Sequence, residues 1–132
     1  MSPISRLAIL TTITVAIVCS LSSVKGEDTS ELSHLCNLNI NPDDSNQEWD
    51  ISYLIAKLID QTPTHGFSQH LEYNGYHGVA ACSGQITKED CDDCLDYANN
   101  EIFQICGFGD GEQIKLADCR LRFEHYEIPD DW

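Results

Sequence analysis

The chain has 132 residues, with 22 acidic side chains against seven Lys and Arg, a formal net charge of −15 and a pI near 4.3. Such a field repels phosphates, which excludes nucleic acid and anionic membrane surfaces as electrostatically driven partners, and with them the cationic, membrane-lysing mode of many small defence proteins. Neutral ligands, sugars among them, remain open.

In chain order, Met1 to Gly26 reads as a secretory signal peptide. Arg6 supplies a positive start, Leu7 to Val18 is an apolar run of twelve residues, and Val24-Lys25-Gly26 offers a cleavage point before Glu27. At about 1.5 Å per residue the run makes roughly 18 Å of helix, short of a hydrocarbon core of about 30 Å, so it reads as a leader and not as a membrane anchor. The expected product is a soluble, extracellular domain over residues 27–132. Losing the leader also removes Cys19 and leaves six cysteines: Cys36, Cys82, Cys91, Cys94, Cys106 and Cys119. An even number in an exported chain points to a disulfide framework, and each bridge typically contributes about 2–4 kcal/mol to such a small unit. All the acidic residues lie after Gly26, opposed there only by Lys57, Lys88, Lys115, Arg120 and Arg122.

Glu27 to Ser33 reads as a polar lead-in. Ser45-Asn46-Gln47-Glu48 has the form of a capping box. Behind it, Ile51, Leu54, Ile55 and Leu58 recur at i, i+3, i+4 and i+7, one face of an amphipathic helix that Pro63 ends. Asn74-Gly75, flanked by Tyr73 and Tyr76, predicts a type I′ hairpin. Its second strand runs through Val79 and Ala81 to Cys82, with Gly78 as a candidate bulge. A second helix starts after Thr87, where Thr87-x-x-Asp90 satisfies free amides and Glu89, Asp90, Asp92 and Asp93 favour the helix dipole. Its inward stripe is Cys91, Cys94, Leu95, Ala98 and Ile102. Gly107 to Gly111 breaks the chain. Period two follows: Ile114 and Leu116 alternate with Gln113 and Lys115, then Leu121 and Phe123 with Arg120, Arg122 and Glu124. Helices on one face of an antiparallel sheet, an α+β domain, bury both helix stripes most simply.

Six cysteines allow 15 pairings, and spacing alone does not choose among them. A bridge between Cys82, at a strand end, and Cys91, at a helix start, would clamp that connection, leaving Cys94 to reach another element. Export disfavours a zinc or thioredoxin-like use of Cys91-x2-Cys94. His34, His65, His70, His77 and His125 lack metal-ligand spacing. Asp90, Asp92, Asp93 and Asp96 lack the Gly and closing Glu of a calcium loop. Ser33, Ser68 and Ser83 have no nucleophile-elbow context, and no Asn-x-Ser/Thr acceptor is present. Neither a cofactor, a metal nor enzymatic activity is expected.

The run Cys82-x8-Cys91-x2-Cys94, with Cys106 twelve residues on and Cys119-x4-Glu124 at the end, resembles the plant ginkbilobin-type domain, also called the salt-stress/antifungal domain of cysteine-rich repeat secretory proteins. Cys36-Asn37, Ile102-Phe103-x-Ile105-Cys106 and Leu116-Ala117-Asp118-Cys119 extend the likeness over about Leu35 to Tyr126. The resemblance implies two helices on a five-stranded antiparallel sheet and the pairings Cys36–Cys106, Cys82–Cys91 and Cys94–Cys119. It also implies a mannose site made of an Asn after the first cysteine, a Glu five residues after the last, and an Arg six residues before the last. These positions hold Asn37, Glu124 and Gln113 here. A carboxylate, an amide and a donor suit hydroxyls that both donate and accept. Gln in place of Arg replaces a charged fork, worth about 1.5–3 kcal/mol per hydrogen bond against about 1 for a neutral one, so binding is expected to be weaker by about tenfold or more. Function by resemblance is a secreted, apoplastic plant defence protein that binds a mannose-type glycan such as fungal mannan. The alternative is a stress- or development-related protein that acts through protein contacts, its sugar site degraded.

Overall fold

The apolar spacing of Ile51, Leu54, Ile55 and Leu58 folds as α1 (Gln47–Gln61), with all four side chains buried. The structure, a computed structural model, describes residues 26–37, 46–107 and 109–132; the expected leader lies outside them apart from Gly26, as does Ser45. The cap position falls to Asn46, one residue later than the capping box predicts, and its side chain makes no capping hydrogen bond. Gln47 is itself buried, and its Nε2 donates to Gly109 O at 3.2 Å. At the other end Thr62 Oγ1 donates to Leu58 O at 2.6 Å, and Pro63 turns the chain through a short 3-10 segment, Thr62–Thr64.

The strands are β1 (Glu31–Asn37), β2 (Ser68–Tyr73), β3 (Tyr76–Cys82), β4 (Gly111–Leu116) and β5 (Cys119–Glu124), and α2 spans Lys88–Cys106 between β3 and β4. They form one antiparallel sheet in the order β1-β4-β5-β3-β2. α1 packs over β2 and β3, and α2 over β4 and β5. The expected α+β class, with two helices on a five-stranded sheet, is the observed fold.

Several local readings hold in detail. Asn74 and Gly75 take φ of 49° and 84°, as a type I′ turn requires. Thr87 Oγ1 accepts the Asp90 amide at 3.1 Å, and Cys91, Cys94, Leu95, Ala98 and Ile102 are the buried stripe of α2. Two readings do not. The ladder passes through Gly78 without a bulge, pairing it with Leu71 and Phe123. A Cβ at Gly78 would sit 2.5 Å from Leu58 Cδ1, so the residue is small because α1 presses onto the sheet there. The polar lead-in also becomes structure, since β1 starts at Glu31 as an exposed edge strand. Its approach is pinned by Asp28, whose amide donates to Asp118 Oδ2 at 2.6 Å and whose carbonyl accepts the Asp118 amide at 3.1 Å.

The disulfides are Cys36–Cys106, Cys82–Cys91 and Cys94–Cys119, as the resemblance implies. They close loops of 70, 9 and 25 residues' separation. In chain-entropy terms these correspond to roughly 4, 3 and 3.5 kcal/mol. The longest ties β1 to the end of α2 and so fixes Asn37, the next residue, at the edge of the sheet.

Candidate functional site

Strand parity sends Ile114, Leu116, Leu121 and Phe123 under the helices and turns their neighbours to the opposite, outer face. Register then decides which outer residues meet. Asn37 pairs with Gly111, Gly111 with Glu124, and Glu124 with His77, forming one row across four strands. The adjacent row runs Leu35, Gln113, Arg122 and Val79. Asn37 and Glu124 are therefore two strands apart, about 10 Å between backbones, with a glycine between them. Gln113 lies one row along. All three residues expected from the sequence share this patch.

Gly111 gives the patch its shape. A Cβ there would collide with Glu124 Oε2 and stand 2.7 Å from Glu124 Cδ, so the carboxyl lies over the glycine, on the side of Asn37. Glu124 is only 5% exposed, although its phase predicts a half-exposed residue. The glycine explains the difference, because the carboxylate folds down where a side chain would otherwise stand. Glu124 Oε1 accepts from Arg122 Nε at 3.2 Å. Glu124 Oε2 is buried and has no hydrogen-bond partner among the described residues. Burial raises the Glu124 pKa above the ordinary carboxylate range, against the lowering effect of Arg122 and Tyr126; nearby Asp110 adds to the rise.

Sequence reasoning missed two residues here. Arg122 lies directly opposite Gln113 in the β4–β5 ladder, so a guanidinium stands one strand away from where the resemblance expects it. Its Nη2 donates to Tyr126 Oη at 3.2 Å, which holds the fork beside Glu124. The second is Trp132, whose Nε1 donates to Gln113 Oε1 at 2.8 Å. Lys115, Arg120 and Arg122 lie 5.2, 5.5 and 5.6 Å from the Trp132 ring. Three of the five Lys and Arg residues among the described ones thus gather on one face of an acidic protein, around one indole. Outward strand phase was the signal for Arg122; nothing in the pattern placed Trp132.

Among the described residues, Glu27, Asp90 and Asp93 bring carboxylate oxygens within 4.8 Å of one another at the start of α2. Negative charge there suits the helix N-terminus.

A family model described as salt stress response/antifungal matches residues 35–126. The chain belongs to this family. Cysteine-rich repeat secretory protein 55 of Arabidopsis thaliana is 31% identical over 115 residues, covering 83% of this chain but 42% of that protein. Antifungal protein ginkbilobin-2 of Ginkgo biloba is 28% identical over 103 residues, covering 74% of this chain and 77% of the relative. Among solved structures, the tandem DUF26 ectodomain of the A. thaliana cysteine-rich receptor-like protein PDLP5 superposes with a TM-score of 0.64 at 26% identity, over 76% of this chain and 47% of that one. The chain thus spans about half the length of that tandem ectodomain and of its Arabidopsis secretory relative. No helix among the described residues is long and apolar enough to cross a membrane.

Proposed function

We propose that this salt stress response/antifungal family member is a secreted plant defence protein that binds a mannose-type glycan on the outer face of its sheet and acts by binding, without catalysing a reaction. The observation that carries the reading is the row Asn37–Gly111–Glu124, in which a buried carboxylate oxygen without a hydrogen-bond partner among the described residues lies over the glycine that separates it from Asn37. A sugar hydroxyl donating to Glu124 Oε2 would satisfy it, and Asn37 both donates and accepts. Arg122 supplies the charged donor that Gln113 cannot, from the facing strand position. The antifungal name of the ginkgo relative and the secretory name of the Arabidopsis one support defence outside the cell, in the apoplast, with fungal wall mannan as the natural source of the ligand. Calorimetric titration with mannose and yeast mannan tests this. Saturable binding that Glu124→Ala abolishes is the expected result. If neither sugar binds, and Gln113→Arg creates no binding, the reading fails. If binding survives Glu124→Ala, the site is elsewhere.

One observation favours a second reading. Gln113 Oε1 is already engaged by Trp132. A covered site would leave a stress- or development-related protein that works through protein contacts. Trp132→Ala separates the two: mannose binding that appears only in this variant marks a covered site, and equal binding in both chains marks an open one.

A further inference from the structure

The opposite face of the sheet holds a groove of about 510 Å³ between α1 and α2, within the size range of small-molecule sites. Its apolar surface comes from Ile51, Ile55 and Ile59 of α1, Phe103 of α2 and Phe123 of β5. Its ionisable groups are all carboxyls: Asp60 of α1, Asp92 and Asp96 of α2, and Glu112 of β4. No Lys, Arg or His is among the described residues that line it.

Glu112 is the unusual member. It pairs with Phe123, so strand parity points it inward with Ile114 and Leu116 and not outward with Gln113. It is 5% exposed, and the Gly109 backbone amide is the hydrogen-bond partner that holds it. Burial pushes its pKa up to about 8, and Glu124 across the sheet pushes the same way. Asp96 is raised too, by burial and then by Asp92 and Asp93. A carboxyl beneath a groove whose rim carries three more lacks the countercharge that buried acids normally require.

We infer that this groove is a second binding site, distinct from the outer-face patch, for a small organic cation in which a primary amine is carried on an apolar ring. The ring would lie against Ile51, Ile55, Phe103 and Phe123, and the ammonium would donate to Glu112 and to the rim aspartates. Charge complementarity selects a cation over a neutral or anionic ligand. The apolar walls select an organic cation over a hydrated metal ion, which needs several oxygen ligands around it.

Three indoles of one shape test the proposal: tryptamine as the amine, tryptophol as its neutral counterpart and indole-3-acetate as the anion. Calorimetry or amide-shift titration should give saturable tryptamine binding, tryptophol at least about tenfold weaker, and no indole-3-acetate binding, since a charge-assisted bond is worth about one decade or more. Above about pH 8, where the Glu112 carboxyl ionises, Glu112→Gln keeps size and hydrogen bonding and should weaken tryptamine by about tenfold while leaving tryptophol unchanged. Ala56→Trp, which fills the groove from the exposed side of α1, should remove both. Mannose should not compete with tryptamine, so this result stands whether or not the outer face binds sugar. Equal affinity for tryptamine and tryptophol, tryptamine binding unmoved by Glu112→Gln in a variant that melts cooperatively, or no saturation into the millimolar range would each overturn the proposal.

Discussion

The two faces of one sheet each bury a carboxyl, and they treat it in opposite ways. On the outer face Glu124 has a guanidinium at 3.2 Å and lies across a glycine. On the inner face Glu112 has a backbone amide, and the groove it lines carries three more acids and no cation among the described residues. Both pKa values rise because burial dominates, and at Glu112 the rise reaches about 8. The contrast shows that solvent-side phase does not decide the state of a strand acid. What decides it is whether a neighbour on the same face, along the strand as Arg122 or across the ladder as Gly111, brings a charge or a gap.

Removing the charge that separates the faces should have the largest effect. Arg122→Ala leaves Glu124 buried with its donor gone. We expect a loss of about 3 kcal/mol in urea unfolding, the scale for breaking a desolvated pair. Glu124→Gln in the Arg122→Ala background should recover more than half of it. A double variant no better than the single one would show that the pair is not coupled.

Glu112 predicts a pH dependence with a defined sign. Its folded pKa, about 8, lies above the ordinary value of 4.5, so the folded chain keeps a proton that the unfolded chain releases. Its contribution to stability is fully present below about pH 4.5 and is lost as pH rises toward 8. At about 1.4 kcal/mol per pKa unit, and reduced by roughly half for the water that reaches the groove, the loss is about 2 kcal/mol. Melts of the wild type and Glu112→Gln at both ends of that window should differ by this amount. Parallel curves would show that the other acids carry the pH dependence.

How much of this could be read from the sequence divides along the range of the interactions. The α2 stripe, the Asn74-Gly75 turn and the outward phase of Gln113 and Glu124 depend on neighbours within a turn or a strand, and all were legible. The disulfide pairing came from resemblance, since six cysteines in a row of elements do not reveal their partners. Gly78 was misread as a bulge because the pressure on it comes from Leu58, twenty residues earlier. β1 was invisible because an edge strand with exposed side chains carries little apolar alternation. Arg122 facing Gln113, Gly111 making room for Glu124, and Glu112 under the helices all require a register that no single strand specifies.

Gly111→Ala tests the gap in place of the charge. The added methyl meets Glu124 Cδ at 2.7 Å and Phe123 O at 3.2 Å, and the backbone atom cannot move aside. Overpacking of this kind typically costs about 1–3 kcal/mol, and about 1.5 is expected here. The same change should push the carboxylate out of the space over Gly111, so any mannose affinity should fall with stability. A variant that melts lower but binds equally well would separate the glycine's packing role from the site.

The smallest effect should come from Trp132, and it bears most directly on how the outer face keeps its few cations. Its indole contributes one hydrogen bond to Gln113 and three ring contacts to Lys115, Arg120 and Arg122. Arg120 is exposed and Lys115, Gln113 and Trp132 are half-buried, a setting in which a cation–π contact is worth about 0.5 kcal/mol and a neutral hydrogen bond about 1. The contacts share one ring and one ordering cost, so they do not add, and Trp132→Ala should lose about 1 kcal/mol. The signature is the salt dependence. Without the ring, three like charges face one another across neighbouring strands, and added salt should restore part of the lost stability by screening them. Trp132→Phe keeps the ring but not the Nε1–H, so it should retain the salt response of the wild type while losing the Gln113 bond. Identical salt curves for the Ala and wild-type chains would mean that the three cations are held apart by the sheet alone.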